Sequence, residues 1–282
     1  MNTVHITRQL LAKKIRPISR DAHKGINGTL NIVAGSKKFR GAADLCVSGA
    51  LRSGCGIVRL ISDEPVIAAV AARHPSCTFL PIKNDEDLHS AFSSALGDVF
   101  AIGCGLGKDS SARKRLIFAL DASKRSVLDA DALNIIAESP DLYAKLENSI
   151  ITPHVLEFSR LSGRTPKEIK ESSLTCALEF SKKHGCVTVL KDAKTVIATK
   201  SSATYVSEGA SCGLSKGGSG DVLCGIIAGF LAQGYSPEDA AVIGVGVHAL
   251  ASQLCAREMG IHSMLPSDLE IYIARLFSSL KL

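Results

Sequence analysis

Lys216-Gly217-Gly218-Ser219-Gly220-Asp221 is the stretch of this chain whose residue types and spacing most directly suggest chemistry. Three glycines within four positions let the backbone turn sharply, and the apolar pairs Val222/Leu223, Ile226/Ile227 and Phe230/Leu231 then recur every four residues, as one face of a helix requires. A helix opening at that turn presents unpaired N–H groups and the positive end of a dipole, both suited to phosphate. Asp221 falls in the first turn, so an anion site and a carboxylate base would lie side by side. Taken alone, the same residues also fit a flexible loop followed by a dipole-stabilising acid.

The elements that must position this turn read as alternating strands and helices. Thr29 to Ala34 is a β-rich run ending at Gly35-Ser36, followed by the small-residue segment Gly41 to Gly54, where a helix could approach the sheet closely. Ile57 to Ile61 is a second strand, with helices expected near Pro65 to Ala72 and Asp85 to Leu96. Val99 to Ile102 runs into Gly103-Cys104-Gly105-Leu106-Gly107, Val127-Leu128 into Asp129-Ala130-Asp131, Ile150-Ile151 into Thr152-Pro153-His154, and Val187 to Leu190 into Lys191. In a parallel sheet, ligands gather beyond the carboxyl ends of the strands, so these segments point at one crevice. Thr195 to Thr199 and Ala203 to Val206 read as a local antiparallel pair beside that sheet. Asp221 to Gln233, Pro237 to Glu258 and Pro266 to Leu280 read as helices.

Composition narrows the class. The 282 residues are 46% hydrophobic, enough for a sizeable α/β core. The net charge of +6 is spread without a basic run, Trp is absent and aromatics are few, so no nucleic-acid groove is expected. The nine cysteines include no C-x-x-C pair and lie mostly in apolar segments, as expected of reduced, buried thiols in a cytoplasmic protein. No signal peptide or bilayer-spanning apolar run is visible; Ala240 to Ala251 is expected to be a core helix.

Six motifs then occur in order: HKGINGTLNIVAGSKKFRGAADLCVSGALRSGCGIVRL (His23 to Leu60), AIGCGLGKD (Ala101 to Asp109), VLDADALN (Val127 to Asn134), ITPHVLEFSRLSG (Ile151 to Gly163), VLKDAKTVIA (Val189 to Ala198) and LSKGGSGDVLCGIIAGFLAQG (Leu214 to Gly234). Together they closely resemble the ADP- or ATP-dependent NAD(P)H-hydrate dehydratases, a branch of the ribokinase-like superfamily. The resemblance runs from His23 to about the chain end and outweighs the flexible-loop reading of Gly217 to Asp221. It implies a ribokinase-like three-layer α/β/α domain over residues 23–282 with a mostly parallel central sheet, preceded by a helical lead-in at 1–22.

The resemblance also implies a reaction: a nucleotide phosphorylates the hydroxyl of the S form of NADH or NADPH hydrate, and loss of phosphate restores the ring double bond. Asp221 would be the base and a substrate contact, with Ala42, Ala43, Gly105 and His154 lining the hydrate pocket. Backbone N–H groups of Gly217, Gly218, Ser219 and Gly220 would stabilise the transferring phosphoryl group. Lys191, Asp192, Ala193, Lys194 and Thr195 would hold the AMP part of ADP or ATP. Glu157 would organise Mg²⁺ through water, with Asp129 as a further metal candidate. Asp131 reads equally as a helix cap, Asn134 has no firm role, and His154 could also be a buried, hydrogen-bonded histidine. His248, in an apolar helix, reads as a satisfied core residue, and neither Cys104 nor Cys212 carries a signal for a reactive thiol.

Departures from the family pattern are Cys104 for Pro, Val155-Leu156 for Pro-Gly, Asp192 for Gly and Ser211-Cys212 for Asn-Gly. They bear on nucleotide preference and leave Gly-Gly-Ser-Gly-Asp and His-x-x-Glu intact. Rival readings are a small-alcohol kinase of the hydroxyethylthiazole or hydroxymethylpyrimidine type and a nucleotide-binding regulator without turnover. The dehydratase reading implies a separate NAD(P)H-hydrate epimerase, no nucleic-acid or membrane partner, and a homo-oligomer, a tetramer by resemblance.

Overall fold

The computed structural model describes residues 3–18, 25–84, 87–95, 97–207 and 209–280. His23 and Lys24, which open the first motif, lie outside them, as do residues 85, 86 and 96 of the second expected helix. In chain order the elements are β1 (Thr3–His5), α1 (Arg8–Lys14), β2 (Thr29–Val33), α2 (Arg40–Arg52), β3 (Ile57–Ser62), α3 (Glu64–Ala71), β4 (Thr78–Pro81), α4 (Asp87–Ser93), β5 (Val99–Ile102), α5 (Ser110–Ala122), β6 (Arg125–Leu128) and α6 (Asp131–Ala137). They continue with β7 (Ile150–Ile151), α7 (Val155–Ser162), α8 (Pro166–Glu171), α9 (Ser173–His184), β8 (Val187–Leu190), β9 (Thr195–Ala198), β10 (Thr204–Ser207), α10 (Ser219–Ala232), α11 (Pro237–Met259) and α12 (Leu269–Leu280).

Among the described residues, ten strands form one sheet in the order β1-β10-β9-β8-β7-β6-β5-β2-β3-β4. Of these ten strands only β9 runs against its neighbours β8 and β10; the other pairings among them are parallel. The expected antiparallel pair is therefore part of the main sheet. Alternation along the strands divides the core. Leu30, Ile32, Val127, Ile150 and Val189 face a layer built with α2, α10, α11 and α12, and Val33, Ile102, Leu128, Ile151 and Leu190 face a layer built with α5, α6, α7 and α9. Helices on both faces of a mostly parallel sheet make the three-layer α/β/α, ribokinase-like arrangement that the sequence implies.

The lead-in holds a strand ahead of its helix. β1 pairs in parallel with β10, and Thr7 caps α1, whose Leu11 is fully buried. The small face of α2 meets α10 rather than chiefly the sheet. A methyl on Gly49 would lie 2.4 Å from the Val222 carbonyl oxygen, and one on Gly225 would lie 2.0 Å from that of Cys46. Two helices this close need glycine on both sides, and that contact fixes where α10 begins. α11 is longer than its apolar run suggests: by length and composition it could cross a bilayer, but most of its apolar span is buried inside the fold.

Candidate functional site

The glycine turn ends at Gly218, the N-cap of α10, with φ of 102° and Leu45 so close that a Cβ would come within 2.4 Å of its Cδ1. Glycine is needed there on both counts. Among the described residues, no side chain caps this helix end. Lys216 does not reach toward it, since its ammonium donates to the carbonyls of His262 and Met264. Asp221 lies in the first turn. Burial and the nearby Asp129 charge push its pKa up to about 7, against the hydrogen bond from Cys104 and the charge of Lys191. A carboxyl poised there exchanges protons near neutral pH.

The strand ends supply the opposite wall. Asp129, just past β6, accepts from the Lys191 ammonium, just past β8, at 2.7 Å, with side-chain exposures of 2% and 19%. Burial works against the ammonium, but Asp129 and then Glu157 outweigh it and hold Lys191 above the ordinary lysine range. This ion pair lies against the start of α10: a methyl on Gly220 would lie 3.2 Å from Lys191 Nζ and 3.5 Å from Asp129 Oδ2. Ala130, next to Asp129, has φ of 50°, an unusual backbone for a non-glycine residue.

His154 and Glu157 form a capping box at α7. His154 Nδ1 accepts from the backbone of Leu156 and Glu157, and the Glu157 carboxylate accepts from the His154 N–H at 2.8 Å. Because Nδ1 is an acceptor, the neutral ring carries its proton on Nε2, 3.4 Å from Glu157 Oε1. Burial and then Lys191 lower the His154 pKa, which favours that neutral form; burial raises the Glu157 pKa, opposed by Lys191. The His154 side chain is 48% exposed, so it is hydrogen-bonded without being buried.

A cavity of about 770 Å³ joins these parts. Its walls include Asp129, His154, Glu157, Lys191, Asp192, Ala193, Thr195, Gly218, Ser219, Gly220 and Asp221. Gly217, Lys194, Ala42, Ala43 and Gly105 are not among its lining residues. Ala43 is fully buried and packs beside Gly35, so its small side chain serves helix–strand contact and leaves it no surface for substrate. Gly105 (φ 61°) comes so near Ala42 and Phe39 that a methyl would lie 2.7 Å from the Cβ of each, so its bareness serves this approach too. Asp192 is exposed and accepts from the Ala193 N–H in the turn between β8 and β9.

Asp131 neither caps α6 nor lines this cavity; its carboxylate accepts from the Gly107 N–H at 2.8 Å and pins the loop after β5. Asn134 ties α6 to α7 by accepting from Arg160. His248 is buried, and its Nε2 lies 3.1 Å from the Ser219 carbonyl oxygen, as a satisfied residue should, yet it also lines the cavity. Burial depresses its pKa to about 4, so it stays neutral. Ala210, Ser211 and Cys212 also line the cavity. The assembled site can seat a phosphate ester on a helix start, neutralise it with a lysine, and take a proton from a neighbouring hydroxyl.

Comparison with known proteins gives concordant results. The family model described as NAD(P)H-hydrate dehydratase matches residues 30–275. The ADP-dependent (S)-NAD(P)H-hydrate dehydratase of Neisseria meningitidis is 35% identical over 86% of this chain and 82% of its own length. The bifunctional NAD(P)H-hydrate repair enzyme of Escherichia coli is 36% identical over 92% of this chain, which spans only about half (49%) of that enzyme. The ADP/ATP-dependent NAD(P)H-hydrate dehydratase of Bacillus subtilis, co-crystallised with ATP and Mg²⁺, superposes with a TM-score of 0.87 at 28% identity over 99% of both chains.

Proposed function

Since this chain belongs to the NAD(P)H-hydrate dehydratase family, we propose that it acts as a hydro-lyase which uses ADP or ATP to dehydrate the S form of NADH or NADPH hydrate. Residues 23–282 form the catalytic domain in this reading. The observation that carries it is the placement of Asp221, poised near neutrality, at an uncapped glycine-turn helix start in one cavity with the Lys191–Asp129 pair and the His154–Glu157 box.

Hydroxide is a poor leaving group and phosphate a good one. Asp221 takes the proton from the hydrate hydroxyl as its oxygen bonds to the terminal phosphorus and the bond to the nucleotide breaks. The N–H groups from Gly217 to Gly220 and the Lys191 ammonium bear the charge of the moving phosphoryl group. Phosphate then departs with the C–O electron pair, the neighbouring ring carbon gives its proton to water, and the C–H electron pair re-forms the double bond. His154 offers its Nε2 proton to the hydrate, while Ala42 and Gly105 flank it. Ala43 is left out because it has no exposed surface. Lys191 to Thr195 carry the AMP part.

Mg²⁺ suits this wall because Glu157 and Asp129 present carboxylate oxygens to the same cavity as the helix start, and Mg²⁺ prefers one or two carboxylates with waters and phosphates. When bound it would neutralise charge on the phosphates. Glu157 would hold its waters, with Asp129 sharing its charge between the ion and Lys191. A cytoplasmic homo-oligomer, a tetramer by family resemblance, served by a hydrate epimerase activity, goes with this reading; the nine free thiols fit a reducing compartment.

The test is to incubate the protein and Mg²⁺ with NADH hydrate and either ADP or ATP. The expected result is recovery of reduced-nicotinamide absorbance with release of AMP or ADP. No recovery with either nucleotide would overturn the reading, and a stable phosphorylated alcohol would support a small-alcohol kinase instead.

A further inference from the structure

Beneath Asp221 lies a group of side chains that the dehydration chemistry does not use. Cys46 comes from α2, Cys104 from the loop after β5, and Cys224 from α10, one turn beyond Asp221. All three are buried, at 0%, 1% and 0% exposure. Their sulfurs lie within 4.8 Å of each other. A second set shares one member: Cys104 Sγ and carboxylate oxygens of Asp129 and Asp221 also lie within 4.8 Å of each other.

We propose that Cys46, Cys104 and Cys224 form a binding site for a thiophilic divalent cation, Zn²⁺ or Cd²⁺, directly beside Asp221, and that occupation of this site switches the enzyme off. Thiolates select such ions over Mg²⁺, which demands oxygen donors. With metal–sulfur distances of about 2.3 Å, three sulfurs around one ion stand about 4 Å apart, within the spacing found here. The backbone already holds the group together, because Gly225 and the Cys46 carbonyl press α10 against α2 at this level.

Binding releases the three thiol protons to solvent, and a dication with three thiolates carries one net negative charge, which the nearby Lys191 ammonium tempers. That charge, with Cys104 Sγ within 4.8 Å of an Asp221 oxygen, repels the phosphate groups that must reach the helix start, so the inhibitory half of the proposal rests on the dehydratase reading. The binding half does not.

The test uses the reduced full chain and Cd²⁺, read by the ultraviolet cadmium–thiolate charge-transfer band. One equivalent should produce the band in the wild type and in Cys212→Ala, an exposed-thiol control. Cys46→Ala, Cys104→Ala and Cys224→Ala should each lose it. On the unsubstituted protein, one equivalent should shield these three cysteines from alkylation as mapped by mass spectrometry, a result that does not depend on any variant folding. Turnover with Mg²⁺ and nucleotide should fall at least tenfold with one equivalent of Zn²⁺ in the wild type and stay unchanged in Cys46→Ala. Absence of the band, or alkylation of the three cysteines at an unaltered rate, would overturn the site and leave them as packing thiols. A band without loss of turnover would overturn the inhibition, and failure of dehydration with Mg²⁺ but no added Zn²⁺ or Cd²⁺ would count against the functional reading alone.

Discussion

Asp221 carries both the proposed chemistry and a cost in stability. Its folded pKa, about 7, is above its unfolded value, so its contribution to stability is fully present below about pH 4 and is lost as pH rises through 7. Asp221→Asn should therefore raise stability above pH 7 by roughly 2–4 kcal/mol, with the gain vanishing near pH 4, as denaturant midpoints across pH would show. The same variant should lower kcat by roughly 10²–10⁴-fold with nucleotide binding nearly unchanged. In the wild type, kcat/KM should climb about tenfold per pH unit below 7 and level off above it. An acid limb displaced by more than a unit would remove Asp221 as the titrating base. His154 permits a separate check: His154→Ala should cost about 1 kcal/mol through loss of the α7 cap, and His154→Asn should recover most of it while still lacking the ring N–H.

At the scale of elements, the site depends on a close crossing of two helices. Gly225→Ala would drive a methyl into the Cys46 carbonyl and should destabilise the fold by about 1–3 kcal/mol. Because the strain falls one turn beyond Asp221, turnover should drop along with the urea midpoint. Gly218→Ala would combine a positive φ with the Leu45 contact and should cost a similar amount. The existence of α10 and the grouping of the strand-end residues were legible in the sequence, because apolar spacing and glycine position are local signals. The α2–α10 contact was not, since small residues in α2 say that something approaches without saying what. Asp131 shows the same limit: its hydrogen-bond partner, Gly107, lies 24 residues away, so no local pattern distinguishes it from a cap. His248 could be read as a satisfied core residue, but its place on the cavity wall depends on how α11 lies across α10.

For the whole molecule, the mostly parallel sheet was legible from repeated strand–helix alternation, and the family from six motifs in order. The integration of β9 and β10 into the main sheet was harder to see, because a hairpin reads the same whether it stands apart or joins a larger sheet. Ligand linkage tests the whole assembly: ADP or ATP with Mg²⁺ at a hundredfold excess over Kd should stabilise the chain by about 2.7 kcal/mol, and a chelator should remove the part due to the metal. Calorimetry showing no shift with either nucleotide would contradict a nucleotide site in this cavity.

The pairing of β1 with β10 also has a bearing on solubility. Three residues, Thr3–His5, pair with Thr204 to Val206 of β10, so the sheet ends on a very short strand. A chain shortened by its first seven residues would offer that flank of β10 as a template to any extended segment nearby. Such a protein should self-associate in a concentration-dependent way on gel filtration even where its catalytic centre is untouched, so an affinity tag or truncation at this end is a choice about aggregation as much as about convenience.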